Sequence, residues 1–301
     1  MTVGRTDVHF ESAGVTLRGW LYSPPDAGTP SPAVVLCTGF AGTQDTPSIV
    51  AAAEAFARAG IAALSFDYRS FSRSDGEPRQ LVSIEGQRAD ITAALRFLKG
   101  RDDIDADRIA LWGTSLGGGH VVTVAADEPR VAAVVSQIPF NGFPRRVEGR
   151  PASANRRLLW AMTRDALRAR LGRPPLYIPA VGGAGELAVM ASSEASQTIR
   201  GLQSETWQNR TAPRALFEMM RYKPGAVAGR VRMPLLVCVG GRDKESPEAS
   251  ASELGEKAPL GRVLRYDVAH FDFYEPEVRE KVLGDQVRFL DSVLLTAERT
   301  P

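Results

Sequence analysis

Apolar residues fall into two rhythms along this chain. In TDVHFES and VTLRGWLY they alternate with polar residues on either side of Ala-Gly, the period of two expected of a hairpin with one face covered. In PAVVLCTG, IAALSFDY, RIALWG, RVAAVVSQIPF and PLLVCVGG they run on with little interruption, as in strands buried on both faces of a sheet. GRVLRYDV supplies one more strand. Helical patterns separate these runs: TPSIVAAAEAFARAG with its glycine stop, SIEGQRADITAALRFLKG, SLGGGHVVTVAADE, PEASASELGEKA and EVREKVLGDQVRFLDSVLLTA. Strand and helix alternate, which predicts an α/β fold with a mostly parallel sheet and helices on both faces.

From Asn141 the alternation stops. The segments ANRRLLWAMTRDALRARLG, ELAVMASSEAS and APRALFEMMRY read as helix, and Gly182-Gly183-Ala184-Gly185 reads as a flexible loop, since no strand precedes it. The simplest placement is a helical cap, residues 141–230, inserted between strands six and seven and lying over the carboxyl edge of the sheet, where ligands bind in such folds. Residues 1–140 and 231–301 then form the core.

Composition narrows the picture. A chain of 301 residues can bury a sizeable core without disulfides or metals. Its two cysteines, Cys37 and Cys238, both sit in apolar strand runs and read as buried thiols in a reducing compartment. The N-terminus lacks an apolar core of signal-peptide length and no membrane span is visible, so the expected location is cytoplasmic. Net charge is only +2, yet the stretch from Asn141 to Arg232 carries sixteen Arg/Lys against six Asp/Glu. That excess reads either as arginine-biased solvated helix faces or as a basic rim for an acidic partner.

The chemistry centres on IALWGTSLGGGH. Gly113-Thr114-Ser115-Leu116-Gly117 fits G-x-S-x-G, between a predicted buried strand and a predicted helix. Such a turn exposes a serine hydroxyl at a helix N-terminus, where free N–H groups favour negative charge. A serine needs a base. Of the three histidines, His9 lies in the N-terminal hairpin. His120 shares the helix after Ser115 at a spacing that points it away. His270 follows the last strand, at the expected sheet edge. Asp243, after strand seven in VGGRDKESP, completes the order Ser, Asp, His that this turn predicts; Asp267, Asp272 and Glu245 are the competing acids. The oxyanion donors expected are the N–H groups of Leu116 and of Phe40, in the loop after strand three. The block 141–230 offers Trp160, Trp207 and Met219 as pocket lining, with Met162, Phe217, Met220 and Tyr222 as further candidates; the alternative is that they form the cap's own core. Neither a metal signature nor a dinucleotide or Walker fingerprint appears, so no metal or cofactor is expected.

TGFAGTQD, FDYRSFSRSDGEPR, IALWGTSLGGGH, GGRD and AHFDFY, in this order, resemble the α/β-hydrolase superfamily. More closely they resemble bacterial serine hydrolases of the dienelactone-hydrolase and X-prolyl-peptidase-like branch, which includes thioester-cleaving polyketide transferases. The resemblance spans residues 15–140 and 230–295. It implies an eight-stranded sheet and acyl transfer through an acyl-enzyme, with a small-molecule ester or thioester carrying a medium-sized, mostly apolar acyl group as substrate; the basic rim suggests an acyl-carrier protein or coenzyme A thioester as partner, and no nucleic acid or membrane is implied. Thr38 departs from the histidine many relatives place before this glycine, and Ser115 from the cysteine of dienelactone hydrolases proper. Asp67 and Arg69 are expected to form an internal ion pair. A cofactor-free haloperoxidase or perhydrolase and a non-catalytic binding protein are the alternative functions.

Overall fold

The computed structural model describes residues 2–25, 30–143, 152–192 and 195–295. In chain order the elements are β1 (Gly4–Ser12), β2 (Val15–Ser23), β3 (Ser31–Cys37), α1 (Pro47–Arg58), β4 (Ala62–Phe66), α2 (Ile84–Lys99), β5 (Ile104–Thr114), α3 (Leu116–Ala125) and β6 (Ala133–Gln137). Then come α4 (Ala152–Arg170), β7 (Val181–Gly183), β8 (Met190–Ser192), α5 (Ala195–Leu202) and α6 (Ala215–Met219). The chain closes with β9 (Leu235–Gly240), α7 (Glu248–Lys257), β10 (Gly261–Tyr266) and α8 (Pro276–Leu294).

Eight strands form one sheet in the order β1-β2-β4-β3-β5-β6-β9-β10. β1 pairs antiparallel with β2, and β2 with β4; every other neighbour is parallel. The hairpin closes tightly because Ala13 and Gly14 both take positive φ, 49° and 77°. β3 is buried along its whole length. Its side chains alternate between two cores: Val34 and Leu36 belong to the one that includes α1 and α8, while Ala33, Val35 and Cys37 belong to the one that includes α2, α3 and α7. Both sheet faces are therefore covered, as the uninterrupted apolar runs predicted. The two cysteines are buried and unpaired; burial pushes both thiols up to about 12.

Between β6 and β9 the chain leaves the sheet. The segment contains α4, α5 and α6, but also strand where helix or loop was expected. ELAVMASSEAS is not one helix, because Met190–Ser192 pairs in parallel with Val181–Gly183. Gly182 and Gly183 thus lie in β7 and not in a flexible loop, and Gly183 N–H donates to Glu186 Oε2 at 2.8 Å. Buried residues of this segment, among them Met162, Val181, Leu202, Leu216 and Met219, join the core cluster of α2 and α3. Among the described residues no helix is long and apolar enough to cross a membrane.

Candidate active site

Ser115 sits at the point where β5 turns into α3, with φ 54° and ψ −117°. A non-glycine residue in that region is strained by about 1–3 kcal/mol, so its surroundings must hold it there. Ser115 N–H donates to Gln137 O (2.9 Å), and Ser115 O accepts from Gly119 N–H (3.2 Å) and Phe140 N–H (2.9 Å). The flanking glycines are required by space. A Cβ on Gly113 would meet Gly117 O at 2.3 Å, and one on Gly117 would meet Cys37 O at 2.3 Å and Thr38 O at 2.4 Å.

His270 follows β10 and is 4% exposed. Its Nδ1 lies 2.7 Å from Asp243 Oδ2 and its Nε2 lies 3.2 Å from Ser115 Oγ. Asp243 is held by N–H donors of Glu245 (2.9 Å) and Ser246 (2.7 Å) on its other oxygen. A carboxylate at Nδ1 fixes the tautomer with the proton on that nitrogen, leaving Nε2 free to accept the serine proton. Burial alone would push the imidazole down; the charge and hydrogen bond of Asp243 outweigh it and hold the group above its ordinary value. Two of the competing acids are engaged elsewhere. Asp267 is exposed and pairs with Arg242 (3.3 Å). Asp272 accepts from Ala269 N–H (2.8 Å) and Gln197 Nε2 (3.1 Å).

The loop after β3 faces Ser115. Gly39 lies so close that a Cβ there would be 3.2 Å from Ser115 Cβ. Gly42 N–H closes a turn onto Gly39 O (3.1 Å), Thr38 Oγ1 donates to Gly42 O (3.3 Å), and Ala41 takes φ 55°. Among the described residues neither Phe40 N–H nor Leu116 N–H donates to a backbone carbonyl. Two carboxylates brace this loop. Asp67, wholly buried at the end of β4, accepts from Gln44 N–H and Gln44 Nε2, both at 2.9 Å. Asp45 reaches outward to Ser204 Oγ (2.8 Å), Thr206 Oγ1 (2.9 Å) and Thr206 N–H (3.0 Å).

The expected Asp67–Arg69 pair does not form. Residues two apart leaving a strand need not share a partner. Arg69 instead pairs with the buried Asp90 of α2 at 2.6 Å. His120 does point away from Ser115, as expected. It is buried between Tyr222 Oη (2.9 Å) and Gln87 Oε1 (3.0 Å), and burial drives its imidazole down to about 3. The exposed His9 lies in β1.

A cavity of about 80 Å³ opens onto Ser115 and His270. Phe40, Leu116, Phe140, Val189, Met190 and Met219 give it apolar walls, and Lys244 and Glu245 are polar neighbours at its lining. Met219, one of the three candidate lining residues, is among them. Trp160 and Trp207 are not among the lining residues. Trp160 is 58% exposed on the outside of α4, because the helical period that turns Ala161 and Met162 inward turns it out. Trp207 packs on the main core cluster with its indole N–H buried and unpartnered. Met190 and the preceding Val189 were missed because a three-residue strand carries too few positions for a period to show. Among the described residues no three His, Cys, Asp or Glu side chains gather to hold a metal ion.

Comparison with known proteins identifies the family and the fold. The chain is 34% identical over 291 residues to the quorum-quenching protein AidA of Acinetobacter baumannii, covering 96% of this chain and 95% of that one. It is 29% identical to the polyketide transferase ATR5 of Stachybotrys chlorohalonatus (96% and 98% covered) and 28% identical to the thiohydrolase aneE of Aspergillus aculeatus (93% and 91% covered). The crystal structure of the α/β hydrolase GrgF from Penicillium superposes with a TM-score of 0.81 at 24% identity, covering 97% of this chain and 99% of that one, which establishes the shared fold. Residues 28–270 match the family described as serine aminopeptidase, S33, and the chain belongs to that hydrolase family within the α/β-hydrolase fold.

Proposed function

We propose that this protein is a serine hydrolase that cleaves an ester or thioester through Ser115, His270 and Asp243 and an acyl-enzyme intermediate. The observation that carries the reading is one imidazole within hydrogen-bond reach of both the Asp243 carboxylate and the Ser115 hydroxyl. His270 Nε2 takes the serine proton as Oγ bonds to the carbonyl carbon. The carbonyl oxygen becomes an oxyanion, received by the N–H groups of Phe40 and Leu116; each such donor contributes about 3–4 kcal/mol to the transition state. His270 then gives its proton to the departing alcohol or thiol. Water repeats the sequence and frees the acid. Asp243 stabilises the imidazolium formed in each half. Residues 141–230 act as the cap, and Val189, Met190 and Met219 bound the acyl group.

A thioester is the favoured substrate class, since relatives over most of the chain carry the names thiohydrolase and polyketide transferase. The second of those names also favours transfer to an acceptor other than water. The test is labelling with a fluorophosphonate, followed by turnover of p-nitrophenyl esters of graded length beside acyl thioesters. Labelling of the wild type and none of Ser115→Ala is expected. Equal labelling of Ser115→Ala overturns the assignment, and turnover of esters without any thioester overturns the substrate class.

A further inference from the structure

Four of the eight large hydrophobic residues that stand exposed among the described residues lie along α4 or one step past its end: Leu159, Trp160, Leu167 and Leu171, each 54–68% exposed. At about 100° per residue, Trp160, Leu167 and Leu171 fall within about 40° of one another, a single narrow stripe. Arginines flank it on both sides. Arg164 and Arg156 lie about 40° to either side of Trp160, and Arg168 and Arg170 about 80°. The Arg164 guanidinium lies over the Trp160 ring at 4.9 Å, so the two side chains present one surface. The one acid on α4, Asp165, is buried and turned inward to Arg214 (3.1 Å). Among the described residues Arg156, Arg164 and Arg170 have no ion-pair partner.

A solvated helix face does not need three large apolar side chains in line, and a core-facing stripe would not be exposed. We propose that the outer face of α4 docks an acidic helix of a partner protein. The partner's apolar ridge would lie along Trp160, Leu167 and Leu171 while its carboxylates meet the flanking arginines, as charged positions flank an apolar seam between paired helices. An anionic lipid surface fits less well. A stripe one side chain wide, with guanidinium groups about 40° from its centre, offers little area to sink below headgroups. The cargo assigned to the partner, an acyl thioester on a carrier protein, rests on the proposed function; the docking surface itself does not.

The test separates the two. A fluorescein-labelled acyl-carrier protein, rich in Asp and Glu, is titrated with the hydrolase and followed by anisotropy. Turnover of a small free acyl thioester is measured in parallel. Wild type should bind the carrier protein, at least tenfold more weakly in 500 mM than in 50 mM salt. Arg164→Glu/Arg170→Glu and Leu167→Gln should each weaken binding at least tenfold while turnover of the free thioester stays within twofold. All three changes are at exposed positions, and unchanged thermal melting shows that the fold persists. Absence of carrier binding by wild type, or equal binding by the variants, overturns the proposal. So does binding to phosphatidylglycerol vesicles in place of the carrier protein. Carrier binding without turnover of any thioester leaves the docking surface standing and removes the thioester reading.

Discussion

Replacing Gly117 by alanine tests the packing that holds the two proposed oxyanion donors in register. The added methyl would lie 2.3 Å from Cys37 O and 2.4 Å from Thr38 O. Both are backbone atoms at the end of β3, which is hydrogen-bonded to a strand on each side, so no side chain can swing away. Restoring even a 3.0 Å contact needs about 0.7 Å of movement between the start of α3 and the end of β3. Leu116 N–H rides on the first and Phe40 N–H on the second. Overpacking costs about 1–3 kcal/mol, offset in part by alanine's better helix propensity. The larger effect falls on catalysis, where misplacement by about 1 Å costs on the order of 100-fold. We expect kcat on p-nitrophenyl butyrate to fall about 100-fold with KM within a few-fold, together with a melting temperature a few degrees lower. Gly100→Ala, whose methyl would make ordinary contacts of 3.6 Å and 3.7 Å, is the control and should change neither. A Gly117→Ala enzyme with wild-type kcat would refute the reasoning.

Three further changes probe other parts of the site. Asp243→Asn should lower kcat about 10⁴-fold and shift the acidic limb of the kcat/KM profile to lower pH, because burial then acts on His270 without the opposing charge; an unmoved limb would count against the coupling. Burial raises the Asp67 carboxyl to about 6, above its unfolded value of about 3.9, so the folded state holds that proton more tightly. Its contribution to stability is full below about pH 4 and is lost, by about 3 kcal/mol, as pH rises through about 6. Asp67→Asn should remove this dependence from melting curves between pH 4 and 7, and an unchanged slope would show that another group is responsible. Asp45→Ala deletes three hydrogen bonds to Ser204 and Thr206, so limited proteolysis near residues 203–208 should quicken severalfold; identical cleavage rates would mean the tether bears no strain.

Much of this was readable along the chain because the relevant signals are local. A strand, a glycine-flanked serine and a helix identify the turn at Ser115 without any knowledge of the rest. Asp243 and His270 could be chosen because each follows a clear strand, and strand ends share one edge of a parallel sheet. Proximity in sequence misled at Asp67 and Arg69. Arg69 pairs with Asp90, a residue brought in by α2, and nothing in FDYRS signals that distant neighbour. The wall built by Met190 and the preceding Val189 was equally hidden, since β8 is only three residues long. Trp160 was legible as a large aromatic residue on a helix, and the period of that helix, applied strictly, would have turned it outward.

The chamber beside Ser115 is smaller than the roughly 300–1,000 Å³ of most small-molecule pockets. Two of its walls are thioether side chains, Met190 and Met219, which bend and repack at little cost. Such a boundary yields by degrees. Lengthening the acyl chain should therefore reduce turnover along a gentle slope and not at a sharp cut-off, and swapping either methionine for stiff, branched isoleucine should turn that slope into a step.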